Sequence, residues 1–288
     1  MLKVYIYDII INTLFNNNVL IEVFKRRKTL NVIITGASSG IGLVTARYLT
    51  SKGHKVFGLS RRKINGEPFT SISCDITDYA QVKKVFKEIV DMVGNIDALI
   101  NNAGMGISGA AEYAAEEDIE KIFDVNLLAL INACKEVTPY LKKNGGGKII
   151  NISSVAAVIP IPFQAYYSAS KAAVLSFSYA LRLELKDFNI DVSAVLPGDT
   201  KTSFTSARVK NQSGDDYNGR IERSVNKMEK DEQKGMPPES ISKVIFKMLK
   251  KKRSPAAKTV GVGYKMITFL SKILPTRLML FIVKKLYG

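Results

Sequence analysis

The stretch NVIITGASSGIG, residues 31–42, runs from a β-branched apolar segment into glycines at positions 36, 40 and 42. NVIIT has the composition of a buried strand, and Ile41, Val44, Tyr48 and Leu49 then recur at helical spacing until Gly53 stops the pattern. A glycine-rich turn at such a junction lets the backbone approach an anion closely and presents free N–H groups at the positive end of the helix dipole. Strand, turn and helix in this order predict a dinucleotide site, with Gly36, Ser38, Ser39, Gly40, Ile41 and Gly42 against a diphosphate.

Outward from this junction the chain alternates strands and helices. KVFGLS (55–60), SISC (71–74), IDALIN (96–101), GKIINIS (147–153) and IDVSAVL (190–196) read as strands, and helical patterns cover 78–93, 116–143 and 164–187. Regular alternation predicts right-handed crossovers and a parallel sheet covered on both faces. After Pro197 the pattern loosens, and residues 203–236 are polar and weakly periodic, as in a mobile excursion over a site. A helix is expected after MPPES, then KTVGVG (258–263) as an edge strand, then KMITFLSKIL and RLMLFIVKKLY divided at Pro275.

The 288 residues, 46% of them hydrophobic, suffice for one large core and predict one main domain. Only Cys74 and Cys134 are present, so no disulfide framework is expected and a reducing, cytoplasmic location follows. His54 is the sole histidine, which excludes any site needing two imidazoles; no metal set is expected, and the KGHKV context places His54 on the surface before a strand. The net charge of +16 is uneven: residues 31–206 carry 18 basic and 17 acidic side chains, residues 207–288 carry 19 and 7. Such a bias fits solvated lysine-rich helix faces, an anionic membrane or an acidic partner, while no recognised nucleic-acid motif accompanies it. Residues 1–30 contain no apolar run of the roughly 20 residues a membrane helix needs, and their basic cluster follows the apolar part, unlike a secretory signal. They are read as an N-terminal extension whose order the sequence leaves open, or as an overlong start.

The glycine spacing G-x3-G-x-G, together with CDITD (74–78), NNAG (101–104), Y-x3-K (167–171) and PGDTKT (197–202) in that order, resembles the short-chain dehydrogenase/reductase family over residues 31 to about 265. The resemblance implies an α/β fold, a Rossmann-type doubly wound parallel sheet of about seven strands in a single domain with a helical C-terminal extension, and a nicotinamide cofactor at the strand ends. By the same resemblance Asp75 and Ile76 contact the adenine, Asn102, Ala103 and Gly104 line the cofactor cleft, and Pro197, Gly198, Thr200 and Thr202 meet the nicotinamide end. The choice of cofactor follows from charge. GLSRRK ends the second strand with Ser60, Arg61 and Arg62 where a carboxylate would bind a ribose 2′-hydroxyl, so a 2′-phosphate and hence NADP(H) is favoured.

Reducing a carbonyl requires a proton donor beside the developing alkoxide and hydrogen bonds that hold its oxygen. Helical residues four apart lie about 40° from one another and those five apart about 140°, so Lys171 shares a face with Tyr167 and not with Tyr166. Tyr167 is the candidate acid/base, with Lys171 expected to lower its pKa and, by resemblance, to hold the nicotinamide ribose. The family pattern places a serine thirteen residues before the tyrosine, which is Ser154, with Ser153 less favoured. It also places an asparagine in the preceding helix, Asn126, which positions a water linking Lys171 to solvent.

Met105, Val158, Ile159, Ile161 and Phe163 are expected to form an apolar substrate cavity. A lipophilic ketone or alcohol such as a steroid or lipid ketone suits it. The alternatives are a 3-oxoacyl-(acyl-carrier-protein) reductase and a non-enzymatic NADPH sensor or nucleic-acid binder. The family implies a homodimer or homotetramer. The domain plan is an extension over 1–30, a catalytic domain over 31–265 containing a 203–236 substrate loop, and an amphipathic basic helical segment over 266–288. The tail from 264 to 288 is open to three roles: contact with an anionic membrane, capping of the cleft, or packing against a second subunit.

Overall fold

The computed structural model describes residues 29–210 and 215–287, so the expected extension lies almost wholly outside the described residues. Asn31–Gly288 forms one compact unit. Its central strand β1 (Asn31–Thr35) is buried at every position, as expected for a β-branched run with apolar side chains on both faces. In chain order follow α1 (Gly40–Ser51), β2 (Lys55–Ser60), β3 (Thr70–Ser73), α2 (Tyr79–Val93), β4 (Ala98–Asn101) and the short β5 (Ile107–Ser108). Then come α3 (Glu116–Phe123), a π turn (Asp124–Leu128), α4 (Ala129–Lys143), β6 (Gly147–Ile152), α5 (Ala165–Glu184), β7 (Ile190–Pro197) and β8 (Val209–Lys210). The chain closes with α6 (Arg220–Gln233), α7 (Pro238–Lys250), β9 (Ala257–Val260), α8 (Val262–Leu270) and α9 (Thr276–Tyr287).

Seven strands form one parallel sheet in the order β3-β2-β1-β4-β6-β7-β9, the expected doubly wound arrangement. The order reverses between β1 and β4, which leaves a crevice at their carboxyl ends. On one face Phe86 and Ile89 of α2, Val137 and Leu141 of α4, and Val174 of α5 meet Ile33, Leu99, Ile149 and Val192 of the sheet. Each such side chain contributes about 1.5–3 kcal/mol on burial. Elsewhere α1 and α7 are tied by the buried Thr45–Ser242 hydroxyl pair at 2.9 Å.

Three expectations need correction. His54 is buried, not on the surface: the turn at Gly53 (φ +85°) folds it against Phe246 of α7, with ring centroids 5.9 Å apart, and burial lowers its pKa. The polar excursion 203–236 holds the 14-residue helix α6, seated by Ile221, Ser224, Val225 and Met228. That i, i+3, i+4, i+7 stripe is readable in the sequence, but the polar surroundings mask it. The helix expected over 116–143 is interrupted by the π turn at Asp124–Leu128.

Candidate active site

The carboxyl ends of the strands open into a cleft of about 1240 Å³. Of the residues expected to bind cofactor, all but Gly42 line it, and of the catalytic four, all but Asn126 do. Gly36 (φ +68°) and Gly40 (φ +53°) adopt left-handed backbone that L side chains rarely enter. A Cβ on Gly36 would lie 2.7 Å from the Ala103 Cα, so the NNAG segment crosses directly over the turn. No side chain caps α1 at Ser39, which leaves its first-turn N–H groups for an anion.

Gly42 serves packing. A Cβ there would overlap the Gly36 carbonyl and the Asn102 amide, and that amide donates to the Thr35 and Gly36 carbonyls at 3.1 Å each. At the other end of the cleft Arg61 and Arg62 are exposed beyond β2. Asp75 Oδ1 accepts from the N–H and hydroxyl of Thr77, which fixes the loop that carries Ile76.

Tyr167 and Ser154 both line the cleft, and the Tyr167 ring packs on Phe204 at 5.8 Å between centroids. Ser154 Oγ accepts from the Ala156 N–H at 3.1 Å, holding the short turn after β6. Both serines border the cleft, but Ser153 is buried and its hydroxyl donates to the Lys171 carbonyl at 2.8 Å, so the serine whose hydroxyl proton is not committed to the backbone is Ser154. Tyr166 donates to the Ala111 carbonyl at 3.0 Å and does not line the cleft.

Lys171 Nζ donates to the Ile152 carbonyl at 3.0 Å and lies 5.8 Å from the Tyr167 ring centroid. Burial pulls its pKa down to about 8. Burial also moves the Tyr167 phenol, but upward from 10.0, against the opposing hydrogen bond from Ser154. This direction differs from the expected lowering by Lys171: desolvation dominates, Glu232 and Asp199 push the same way, and the smaller opposing effects come from Ser154 and Arg208.

Asn126 sits fully buried in the π turn. Its Oδ1 accepts from the Met105 N–H at 2.8 Å, and its Nδ2 donates to the Met105 carbonyl and to Ser170 Oγ, both at 3.0 Å. The side chain thereby holds the segment after NNAG. A Cβ on Gly104 would lie 3.1 Å from Asn126 Oδ1 and 3.4 Å from Lys171 Nζ, so the two groups flank that glycine.

The apolar lining of the cleft differs from expectation. Met105 and Ile161 line the cleft, whereas Ile159 is core, Val158 is exposed, and Phe163 (φ +62°) packs edge-on to Tyr217. In place of the last three stand Phe204, Val209 and Met228, with Asp199, Glu232, Tyr264 and Tyr287. Tyr264 donates to Asp199, and its ring lies where a Cβ on Gly198 would be. Glu232 pairs with the buried Arg208 and accepts from Thr205 Oγ1 at 2.6 Å. Asp199 stands in the quoted PGDTKT motif, but no local pattern announces Tyr264 or Tyr287.

Residues 30–213 match the family model described as short chain dehydrogenase. The chain is 40% identical over 262 residues to a 3-ketodihydrosphingosine reductase of Bacteroides thetaiotaomicron, covering 89% of this chain and 97% of that protein. Among solved structures, a short-chain dehydrogenase from Streptomyces avermitilis superposes with a TM-score of 0.79 at 24% identity, over 90% of this chain and 97% of that one. A serine dehydrogenase complexed with NADP+ gives 0.69 at 27% identity, over 80% and 94% respectively.

Proposed function

The chain belongs to the short-chain dehydrogenase family, oxidoreductases of the carbonyl/alcohol couple, and on that premise we propose that it reduces a long-chain lipid ketone with NADPH. The observation that carries the reading is the convergence of Ser154, Tyr167 and Lys171 in one cleft with Met105, Ile161, Phe204, Val209 and Met228 on its walls. Similarity to a 3-ketodihydrosphingosine reductase supports a lipid ketone. NADPH is supported by Arg61 and Arg62 at the end of β2, whose guanidinium forks suit a 2′-phosphate, and by likeness to a dehydrogenase that carries NADP+. The left-handed glycines at 36 and 40 and the uncapped start of α1 suit its diphosphate.

The reduced nicotinamide, when bound, supplies the hydride. Tyr167 gives its phenolic proton to the carbonyl oxygen as charge develops there, and its raised pKa keeps it protonated at neutral pH. The Ser154 hydroxyl holds the same oxygen, as in other preorganised oxyanion sites. Lys171, bonded to the Ile152 carbonyl and 5.8 Å from the Tyr167 ring centroid, keeps a cation near the tyrosine and would hold the nicotinamide ribose of a bound cofactor. Assembly as a homodimer or homotetramer belongs to the same reading and is checked by light scattering.

The test is cofactor oxidation, with NADPH and with NADH, across 3-ketodihydrosphingosine, steroid ketones, a 3-oxoacyl-carrier-protein thioester and small aromatic ketones. Turnover of the long-chain ketone with NADPH is expected, and Tyr167→Phe should lower it by about 10²–10⁴-fold while NADPH still binds. Turnover of the carrier thioester alone would select the acyl-carrier reading, and an active Tyr167→Phe variant would remove the assignment of the proton donor.

A further inference from the structure

The C-terminal helices are seated by narrow stripes. α9 sits on the domain through Met279, Val283 and Tyr287, one residue per helical turn, with Val283 buried. α8 is seated by Tyr264, Ile267 and Thr268, of which Thr268 is buried. The opposite faces are apolar yet exposed. On α8, Val262 (85% exposed), Met266 and Phe269 recur at i, i+4 and i+7, a single helix face, and Ile273 is exposed in the turn that follows. On α9, Leu278, Phe281, Ile282 and Leu286 stand at i, i+3, i+4 and i+8, again on one side of the helix. Isolated exposed apolar residues are ordinary, but a run of them on two consecutive helices marks a surface meant to be covered.

The charges around these residues select what covers them. No aspartate or glutamate follows Glu239, whereas Lys265, Lys272, Arg277, Lys284 and Lys285 are all exposed among the apolar side chains. Apolar side chains interleaved with cations alone are the pattern of a helix that lies in the interface of an anionic bilayer. A cognate protein surface would instead have to neutralise five cations in an apolar setting. Among the described residues no helix is long and apolar enough to cross a membrane, so the contact is in-plane.

The same helices border the cleft, through Tyr264 of α8 and Tyr287 of α9. From these observations we infer that α8 and α9 dock the protein on an anionic lipid bilayer, with the cleft mouth beside the docked face, so that a bilayer-partitioned ketone enters without crossing water. The docking itself rests on exposure and charge; only the identity of what enters rests on the function proposed above.

The full chain is sedimented with phosphatidylcholine vesicles containing or lacking phosphatidylglycerol, alongside Phe269→Glu/Phe281→Glu and Lys284→Glu/Lys285→Glu variants, and each protein's mass is measured by light scattering. Binding to the anionic vesicles at least tenfold tighter than to neutral ones is expected, with each pair of substitutions lowering it at least tenfold. Melting temperature and NADPH binding should not change in the variants, which separates a lost surface from a lost fold. No preference for anionic vesicles, undiminished binding by both variants, or a dimer that the Phe269/Phe281 substitutions dissociate without vesicle binding would each overturn the proposal. Vesicle binding by a protein that reduces no ketone would leave the docking intact and refute the proposed function instead.

Discussion

Two adjacent serines after β6 do separate work, and neither composition nor spacing alone separates them. The Ser153 hydroxyl is tied to the Lys171 carbonyl, whereas Ser154 Oγ accepts from the Ala156 N–H and lines the cleft with Tyr167. Ser153→Ala should therefore cost about 1–2 kcal/mol of stability and leave turnover within a few-fold. Ser154→Ala should cost less stability and lower kcat about 10²–10³-fold; urea unfolding and steady-state rates read the two outcomes. Lys171 gives a pH signature. Below about pH 8 both folded and unfolded chains hold its proton, and the folded one bears the cost of a buried ammonium. Between about 8 and 10.5 only the unfolded chain holds it, so the contribution of Lys171 to stability rises with pH by up to about 3 kcal/mol and is level above that. Unfolding free energies of wild type and Lys171→Met, compared from pH 7 to 10.5, should diverge in that sense; a constant difference would count against the burial of the amine. The Tyr167–Lys171 pairing was legible because helical periodicity alone puts residues four apart on one face, whereas the direction of the Tyr167 shift depends on desolvation by distant elements such as the segment carrying Phe204.

At the scale of elements, β1, β2, β4, β6 and β7 were readable within a residue or two because buried parallel strands are continuous apolar runs bounded by polar or glycine residues. α6 was not, since four seated residues in a 14-residue polar helix form too narrow a stripe to stand out. Nor was the π turn, whose extra residue lies in the backbone of an otherwise ordinary helical pattern. That turn carries Asn126, whose amide spans the Met105 N–H and carbonyl. Asn126→Ala leaves both part-buried groups without that partner and should cost about 1–3 kcal/mol in denaturant unfolding, with a fall in kcat because the Met105 segment borders the cleft. A loss under about 0.5 kcal/mol would mean that the loop is held by other contacts.

Across the whole molecule the cleft is a composite. One end is built from β1, β2 and β4 and their loops, and the other draws residues from α6, α8 and α9, far along the chain. Val283 is the buried anchor of α9, so Val283→Asp should unseat that helix by burying an uncompensated charge. Its expected result is a KM for a long-chain ketone raised at least about tenfold with NADPH affinity unchanged, measured by steady-state kinetics and cofactor fluorescence; an unchanged KM would mean that Tyr287 does not shape the site. By itself the sequence determined the strand–turn–helix frame, the glycine turn, the arginines at the end of β2 and the helix face that Tyr167 and Lys171 share. All of these are written in local spacing, because backbone conformation and helix faces are decided within a few residues. Only the tertiary structure decided that Asn126 braces a loop, that Ile159 is core while Phe204 and Met228 form the wall, and that Tyr264 reaches Asp199, 65 residues earlier. These outcomes depend on which side chains the crossovers bring together over one sheet edge, and no window of the sequence contains both partners.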